Sequence, residues 1–308
     1  MHEGLLSWGI FGTIIITLLI LDLGVFNKKD HVISLRESLI MSIFYILIAC
    51  GFGIFVFYEL GTQHGKEYFT GFILEKAMSL DNIFVISIIF KFFSVPPKFQ
   101  HRVLFWGILG VIVLRALMIG AGASLVANFE WVLFIFAIVL IYTGIKTFYI
   151  SKEKPMNVKD MFIYKFLSKR MNVTHEFHGN KFFVKKDNKL FATPLFMALA
   201  TVEAMDVVFA IDSILAIFAI TQDTYIVYTS NIFAILGLRA LFFLLADIVE
   251  RFRYIKYSLA LILILIGIKI FVVHFVHIPT YIPLVITIGL LIVGGVASVL
   301  IKEEKLKK

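Results

Sequence analysis

Apolar residues fall in blocks of about 20 along almost the whole chain, the length a helix needs to cross a hydrocarbon core. Uncharged blocks of that length predict spanning helices, because the strands of a membrane barrel would alternate over about 10 residues. Nine spans are predicted, over residues 5–26, 39–59, 69–93, 103–126, 131–150, 194–220, 225–248, 255–276 and 281–301. The predicted fold class is therefore all-α: a polytopic membrane protein with a single transmembrane domain over residues 1–308.

The polar stretches between the spans alternate in character. Lys28, Lys29 and Arg36 follow span 1; Lys98 and Arg102 follow span 3; Arg251, Arg253 and Lys256 follow span 7. Ten Lys/Arg lie in 151–193, and Lys302, Lys305, Lys307 and Lys308 close the chain. The even-numbered linkers are poor in cations. Positive-inside then places the N-terminus outside, the C-terminus inside, and nine crossings between them. Composition agrees: the 308 residues are 60% hydrophobic and 16% charged, with mean hydropathy +0.95, against about a quarter charged in soluble domains. The net charge of +8 is read as orientation, not as nucleic-acid binding. The single cysteine, Cys50, rules out an intrachain disulfide. The first apolar run is too long for a signal-peptide core, so no cleavable leader is expected.

The segment 151–193 is the only sizeable stretch outside the spans and reads as a basic cytoplasmic loop. Phe182, Phe183 and Val184 are expected to form a short strand there. His175 and His178 read as solvated loop residues rather than a metal site, being two ligands where three or four are needed.

Span 6 sets Glu203, Asp206 and Asp212 inside the apolar run Val202-Glu203-Ala204-Met205-Asp206-Val207-Val208-Phe209-Ala210-Ile211-Asp212-Ser213. A charged side chain at a span centre costs about 2.5–3.5 kcal/mol on insertion scales, so such acids need partners or a purpose. The motif has an echo in span 3. Glu75-Lys76-Ala77-Met78 resembles Glu203-Ala204-Met205, and Leu80-Asp81-Asn82-Ile83 resembles Ile211-Asp212-Ser213-Ile214, with a small insertion expected around Asp206. Leu114-Arg115-Ala116-Leu117 recurs as Leu238-Arg239-Ala240-Leu241, and Thr143-Gly144-Ile145-Lys146 resembles Ile266-Gly267-Ile268-Lys269. Two copies, residues 69–150 and 194–276, are expected, preceded by two additional helices within 1–66 and followed by a last helix and tail over 281–308. Three spans separate the copies, an odd number, so they would lie inverted in the bilayer, as in secondary transporters with a midplane site.

Glu75, Asp81, Asn82, Glu203, Asp206, Asp212 and Ser213 are the candidate ligands. All are oxygen donors, which suit Mg²⁺ or Mn²⁺ rather than a soft metal. Arg115, Arg239 and Lys76 are the candidate gate or ion-pair cations. Pairing with these, with Lys146 or with Lys269 is the structural alternative for the acids. Glu75 and Asp81 are six apart, as are Asp206 and Asp212, a rotation of about 240°. Either spans 3 and 6 break near the second acid, or the acids serve two layers. Asn231 is expected near the outer part of span 7 as a ligand or a cap. Asp22, Asp247 and Glu250 are read as interfacial charges.

At these motifs, and at Tyr228-Thr229-Ser230-Asn231-Ile232-Phe233-Ala234-Ile235-Leu236-Gly237-Leu238-Arg239-Ala240-Leu241, the sequence resembles the TerC family of integral membrane proteins, within it the longer Alx-type members. The resemblance implies a bacterial inner-membrane exporter of manganese and carries the family's acids onto the seven candidate ligands. One departure is visible: Leu215 stands where the family usually has proline after Asp-Ser-Ile. The expectation is an Mn²⁺ exporter rather than an enzyme, with the metal as cargo and no resident cofactor, the bilayer as surroundings and protons as a possible exchange partner. Export of another cation, such as Ca²⁺, Mg²⁺ or an organic cation, an intramembrane aspartyl enzyme, and a scaffold or sensor acting through the basic loop are the rivals.

Overall fold

A computed structural model describes residues 5–22, 33–129, 131–149, 158, 161–174, 176–186, 189–245, 254–272 and 281–300. Its elements, in order, are α1 (Leu5–Leu21), α2 (Leu35–Glu59), α3 (Thr62–Phe92), α4 (Pro97–Asn128), α5 (Val132–Tyr149), α6 (Phe162–Arg170), β1 (Asn172–Val173), β2 (Phe183–Lys186), β3 (Lys189–Ala192), α7 (Pro194–Phe218), α8 (Thr224–Leu236), α9 (Leu238–Leu245), α10 (Ile255–Val272) and α11 (Tyr281–Leu300). Every predicted span coincides with a helix, span 7 being divided between α8 and α9. Among the described residues six helices are long and apolar enough to cross a membrane: α2, α4, α7, the α8–α9 segment, α10 and α11. The apolar parts of α1 and α5 are shorter, and α3 is more charged.

Local chemistry sets the helix starts. Ser34 and Glu37 form a reciprocal capping box at α2. Pro97 and Pro194 occupy the first positions of α4 and α7, where a missing N–H costs nothing. Asp223 caps α8, its Oδ1 accepting from the amides of Tyr225 and Ile226 at 2.9 and 3.1 Å.

The basic loop carries α6 and a three-stranded sheet of order β1-β3-β2, with β1 parallel and β2 antiparallel to β3. The expected strand at 182–184 is therefore real, shifted one residue to begin at Phe183. His175 lies outside the described residues, as do Asp247, Glu250 and the tail lysines.

Most of α8 is enclosed by α2, α3, α4 and α7, and its aromatic face joins α1 and α2 in one core. There Tyr225 donates to the Ser7 carbonyl at 3.0 Å, and Tyr68 to that of Ala49 at 3.0 Å.

The helices α5 and α10 run against each other through two glycines in a reciprocal arrangement. A Cβ on Gly144 would stand 2.6 Å from the Ala260 carbonyl oxygen, and one on Gly267 would stand 2.8 Å from that of Ala137. The second neighbours correspond too, Ile264 for Gly144 and Ile141 for Gly267. Each glycine meets the backbone seven residues before the other, as two antiparallel helices related by a two-fold axis would. Neither backbone oxygen can swing away, so Gly144→Ala and Gly267→Ala are each expected to lose about 1–3 kcal/mol. Because both act by separating the same pair of helices, the double variant should lose less than the sum. Thermal unfolding of the purified variants in detergent checks both points.

Candidate functional site

Near the middle of α7, equally far from its two ends, Asp206 faces a guanidinium from α4. Arg115 is 1% exposed. Its Nε and Nη2 donate to Asp206 Oδ2 and Oδ1 at 3.4 and 3.3 Å. Its Nη1 donates to Glu75 Oε1 at 2.6 Å, Asn231 Oδ1 at 2.8 Å and Ser213 Oγ at 3.3 Å. The remaining bonds knit the acceptors together: Asn231 Nδ2 donates to Glu75 Oε2 at 3.0 Å, and Asn82 Nδ2 to Asp206 Oδ1 at 3.4 Å. Glu75, Asn82, Asp206, Ser213 and Asn231 are all buried. Two carboxylates and one guanidinium thus share a buried site on α3, α4, α7 and α8, where hydrogen bonds to ionised groups are strong and an unpaired charge would be costly.

Helix geometry explains the membership. Glu75 and Asn82 are seven apart, as are Asp206 and Ser213; seven residues fall about 20° short of two full turns, so each pair shares a face. Asp212, one position earlier than Ser213, is turned about 100° away. It accepts from Thr143 of α5 at 3.3 Å and does not reach the cluster. Of the two alternatives for acids six apart, a broken helix or two layers, α7 shows the second: Asp206 shares its face with Ser213, and Asp212 lies on another. Asp81 lies in α3, but its side chain is outside the described residues. With Glu75 set against Asp206, the two motifs can also be aligned without a gap through Asp81–Asp212 and Asn82–Ser213, whereas matching Glu75 with Glu203 needs the insertion around Asp206.

Spans 3 and 6 do not break; α3 is continuous over 31 residues and α7 over 25. The interruption is in span 7, at Gly237, between α8 and α9. Glycine is the weakest helix former after proline, and here it also makes room: a Cβ would stand 2.5 Å from Lys76 Nζ. Lys76 turns away from the adjacent Glu75 and donates to the Ala234 carbonyl at 3.0 Å, near the end of α8. A cation at a helix C-terminus is favourable and satisfies an acceptor that the interruption frees. Lys76→Met is expected to cost about 1–3 kcal/mol by leaving that carbonyl unpaired in an apolar setting, a loss read as earlier thermal unfolding. Lys269 plays the same part at α7, donating to the Ala219 carbonyl at 3.2 Å.

Two other placements differ from expectation. Asn231 is fully buried within the cluster rather than peripheral. Asp22 is buried and forms an ion pair with Arg239, tying α1 to α9, rather than standing at an interface. Arg239 and Arg115, alike in sequence, therefore serve different acids.

A cavity of about 30 Å³ lies beside the cluster, with Asn82, Asp206 and Arg239 as polar lining and Gly107, Val111 and Leu238 among the apolar walls. That is room for about one water-sized occupant. Glu203, one turn before Asp206, packs its carboxylate on α4: Cβ atoms on Gly107 and Gly110 would stand 3.3 and 2.6 Å from its oxygens. Both oxygens are buried and have no hydrogen-bond partner in the structure. Among the described residues no three acids, histidines or cysteines are grouped as a ready metal cage, since Arg115 stands between Glu75 and Asp206. The cavity wall is mostly apolar and Glu203 is not part of it, but a buried carboxylate without a donor is a setting that a cation or a proton would complete.

Fold and site together define a multi-pass helical membrane protein with a buried, charged, oxygen-rich centre. The chain belongs to the integral membrane protein TerC family, whose pattern it matches over residues 60–307. It is 60% identical over 298 residues to an "Uncharacterized membrane protein" of Rickettsia felis, covering 97% of this chain and 99% of that one. A Myxococcus xanthus protein named "Uncharacterized membrane protein STKORF319" is 43% identical over 293 residues, covering 95% and 92%. The Salmonella typhi protein named "Putative membrane-bound redox modulator Alx" is 40% identical over 312 residues, covering 98% and 97%. No solved structure matched the chain.

Proposed function

We propose that the chain is a secondary transporter that exports a divalent cation, Mn²⁺ foremost, by alternating access between inverted halves. The observation that carries this reading is the convergence of four oxygen-bearing side chains, Glu75, Asp206, Ser213 and Asn231, on one guanidinium beside a small cavity, with Asn82 bonded to Asp206. In this proposal Arg115 is the resident counter-ion. A divalent cation, bringing the charge of two carboxylates in one centre, takes over Glu75 and Asp206 as Arg115 withdraws. Oxygen-only ligation suits Mn²⁺, Mg²⁺ and Ca²⁺ alike; the choice of Mn²⁺ rests on the family. Glu203 is the acid on which an exchanged proton would ride. The ungapped alignment of Glu75 with Asp206 and the reciprocal packing of Gly144 and Gly267 support the inverted repeat. The basic loop and tail support a cytoplasmic C-terminus in a bacterial inner membrane.

Asp206 and Asp212 face different helices, which disfavours the shared-proton dyad an aspartyl enzyme would build from them. The redox role in the name of the Salmonella typhi relative cannot pass through a dithiol within this chain, which has one cysteine; here it would act through the cargo metal.

The reading is tested by reconstituting the protein in liposomes that hold one dye for Mn²⁺ and another for pH. Protein-dependent Mn²⁺ flux with a counter-flow of protons is expected. Absence of Mn²⁺ flux ends the exporter reading, and Mn²⁺ flux without proton movement ends the exchange.

A further inference from the structure

The basic loop holds a feature that transport leaves unused. Helix α6 is short, and its exposed face mixes rings with cations: Phe162, Phe166, Lys169 and Arg170 all lie on it. Phe162 is 80% exposed and stacks on Phe166 with centroids 6.0 Å apart; the Arg170 guanidinium lies 5.5 Å from the Phe166 centroid. Two adjacent phenylalanines held open to water would be an uncompensated cost.

The height of α6 is fixed by its other face. Tyr164 packs on Phe92 and Phe93, with centroids 5.8 and 6.0 Å away, where α3 ends. The same helix packs on α7, whose first residue, Pro194, follows the sheet. Helix α6 therefore sits at one end of the helix bundle, where α3 finishes and the membrane-length helix α7 starts, the level at which headgroups meet a bundle that crosses the bilayer. There a ring sinks toward the acyl chains while the lysine and arginine on the same face reach phosphate. Lys165, which has its own contacts, shares the face. The loop's sheet adds exposed Lys185 and Lys186 nearby in sequence.

We propose that α6 is a binding surface for the headgroups of anionic phospholipids, with Phe162 and Phe166 inserted at the acyl boundary and Lys169 and Arg170 on the phosphates. Lipid rather than a protein occupies this face, because it lies beside the ends of two apolar helices, α3 and α7, and pairs exposed rings with cations, the combination that a headgroup layer takes up. The surface does not depend on what the chain transports.

The test places a bimane fluorophore at Phe162→Cys, with Cys50→Ala removing the native thiol, in full-length protein in nanodiscs. The discs contain phosphatidylcholine alone or mixed with phosphatidylglycerol, with brominated or plain acyl chains. Brominated lipid is expected to quench the label, and aqueous iodide to quench it little, with deeper lipid quenching in the phosphatidylglycerol discs. Adding Lys169→Glu and Arg170→Glu should lower the preference for phosphatidylglycerol by about fivefold per cation replaced, with unfolding in phosphatidylcholine unchanged. Strong iodide quenching without lipid quenching overturns the proposal, as does a quench indifferent to phosphatidylglycerol. Protection from both quenchers also overturns it and points to a protein partner. Phe166→Cys repeats the measurement if the first variant does not fold. Phosphatidylglycerol retained by unlabelled wild type and by Lys169→Glu/Arg170→Glu, weighed by native mass spectrometry, gives the same comparison without a label.

Discussion

Arg115→Met is expected to destabilise the protein by about 3–5 kcal/mol, the largest loss of any single change in the cluster, because it leaves buried carboxylates without their cation. Methionine fills much of the arginine's path and so isolates the loss of charge and of its donors. Glu75, Asp206, Ser213 and Asn231 all lose a donor at once. Arg115→Lys should recover only part of the loss. An ammonium is a point charge on a flexible stem, whereas the guanidinium presents a planar fork that here reaches acceptors on three other helices. The decisive comparison is the triple change Arg115→Met, Glu75→Gln, Asp206→Asn, which removes the charges together. Thermal unfolding in detergent should place the triple variant above Arg115→Met alone. If Arg115→Met alone unfolds at the wild-type temperature, the cluster is not the electrostatic unit that its geometry describes.

Asp206→Asn should reduce Mn²⁺ flux by about 10- to 100-fold, the equivalent of one lost charge-assisted interaction of roughly 1.5–3 kcal/mol. Asparagine keeps the shape and one acceptor but removes the charge that faces both Arg115 and the cavity. Asp212→Asn is the paired control. Its carboxylate accepts from Thr143 on another face of α7, so flux should change little. Both variants are measured in the dye-loaded liposomes at matched protein content. The opposite ranking, with Asp212→Asn inactive and Asp206→Asn active, would move the site to the α5 side of α7 and make the Arg115 cluster structural.

The helices were legible because hydrophobic length is a strong signal in a membrane chain, and each predicted span overlaps a helix, although α3 and α4 start before the apolar runs at 69 and 103. The site was half legible. Buried charge marked spans 3 and 6, and helical register already showed that Asp206 and Asp212 diverge on a straight helix, but not which of the two layers Arg115 would join. The seven-residue spacing of Glu75 with Asn82, and of Asp206 with Ser213, carried the needed information. Asn231 and Asp22 were harder. Nothing local distinguishes a buried polar group near a span end from an interfacial one; that depends on which helix packs across it. The interruption in span 7 was not foreseen; a break is expected only for spans 3 and 6, as one of two alternatives. Gly237 gave a signal, but its meaning came from Lys76 in a helix far away in sequence.

That interruption bears on how the chain enters the membrane. At about 1.5 Å per residue, neither the 13 residues of α8 nor the 8 of α9 could cross a hydrocarbon layer of about 30 Å. Together they form a window of mean hydropathy 1.7, below that of the other long apolar helices. The helices that enclose α8, namely α2, α3, α4 and α7, all precede it in the chain. The least apolar and most enclosed of the six long segments is therefore synthesised after the helices that receive it, so the order of translation is itself part of how this span is inserted.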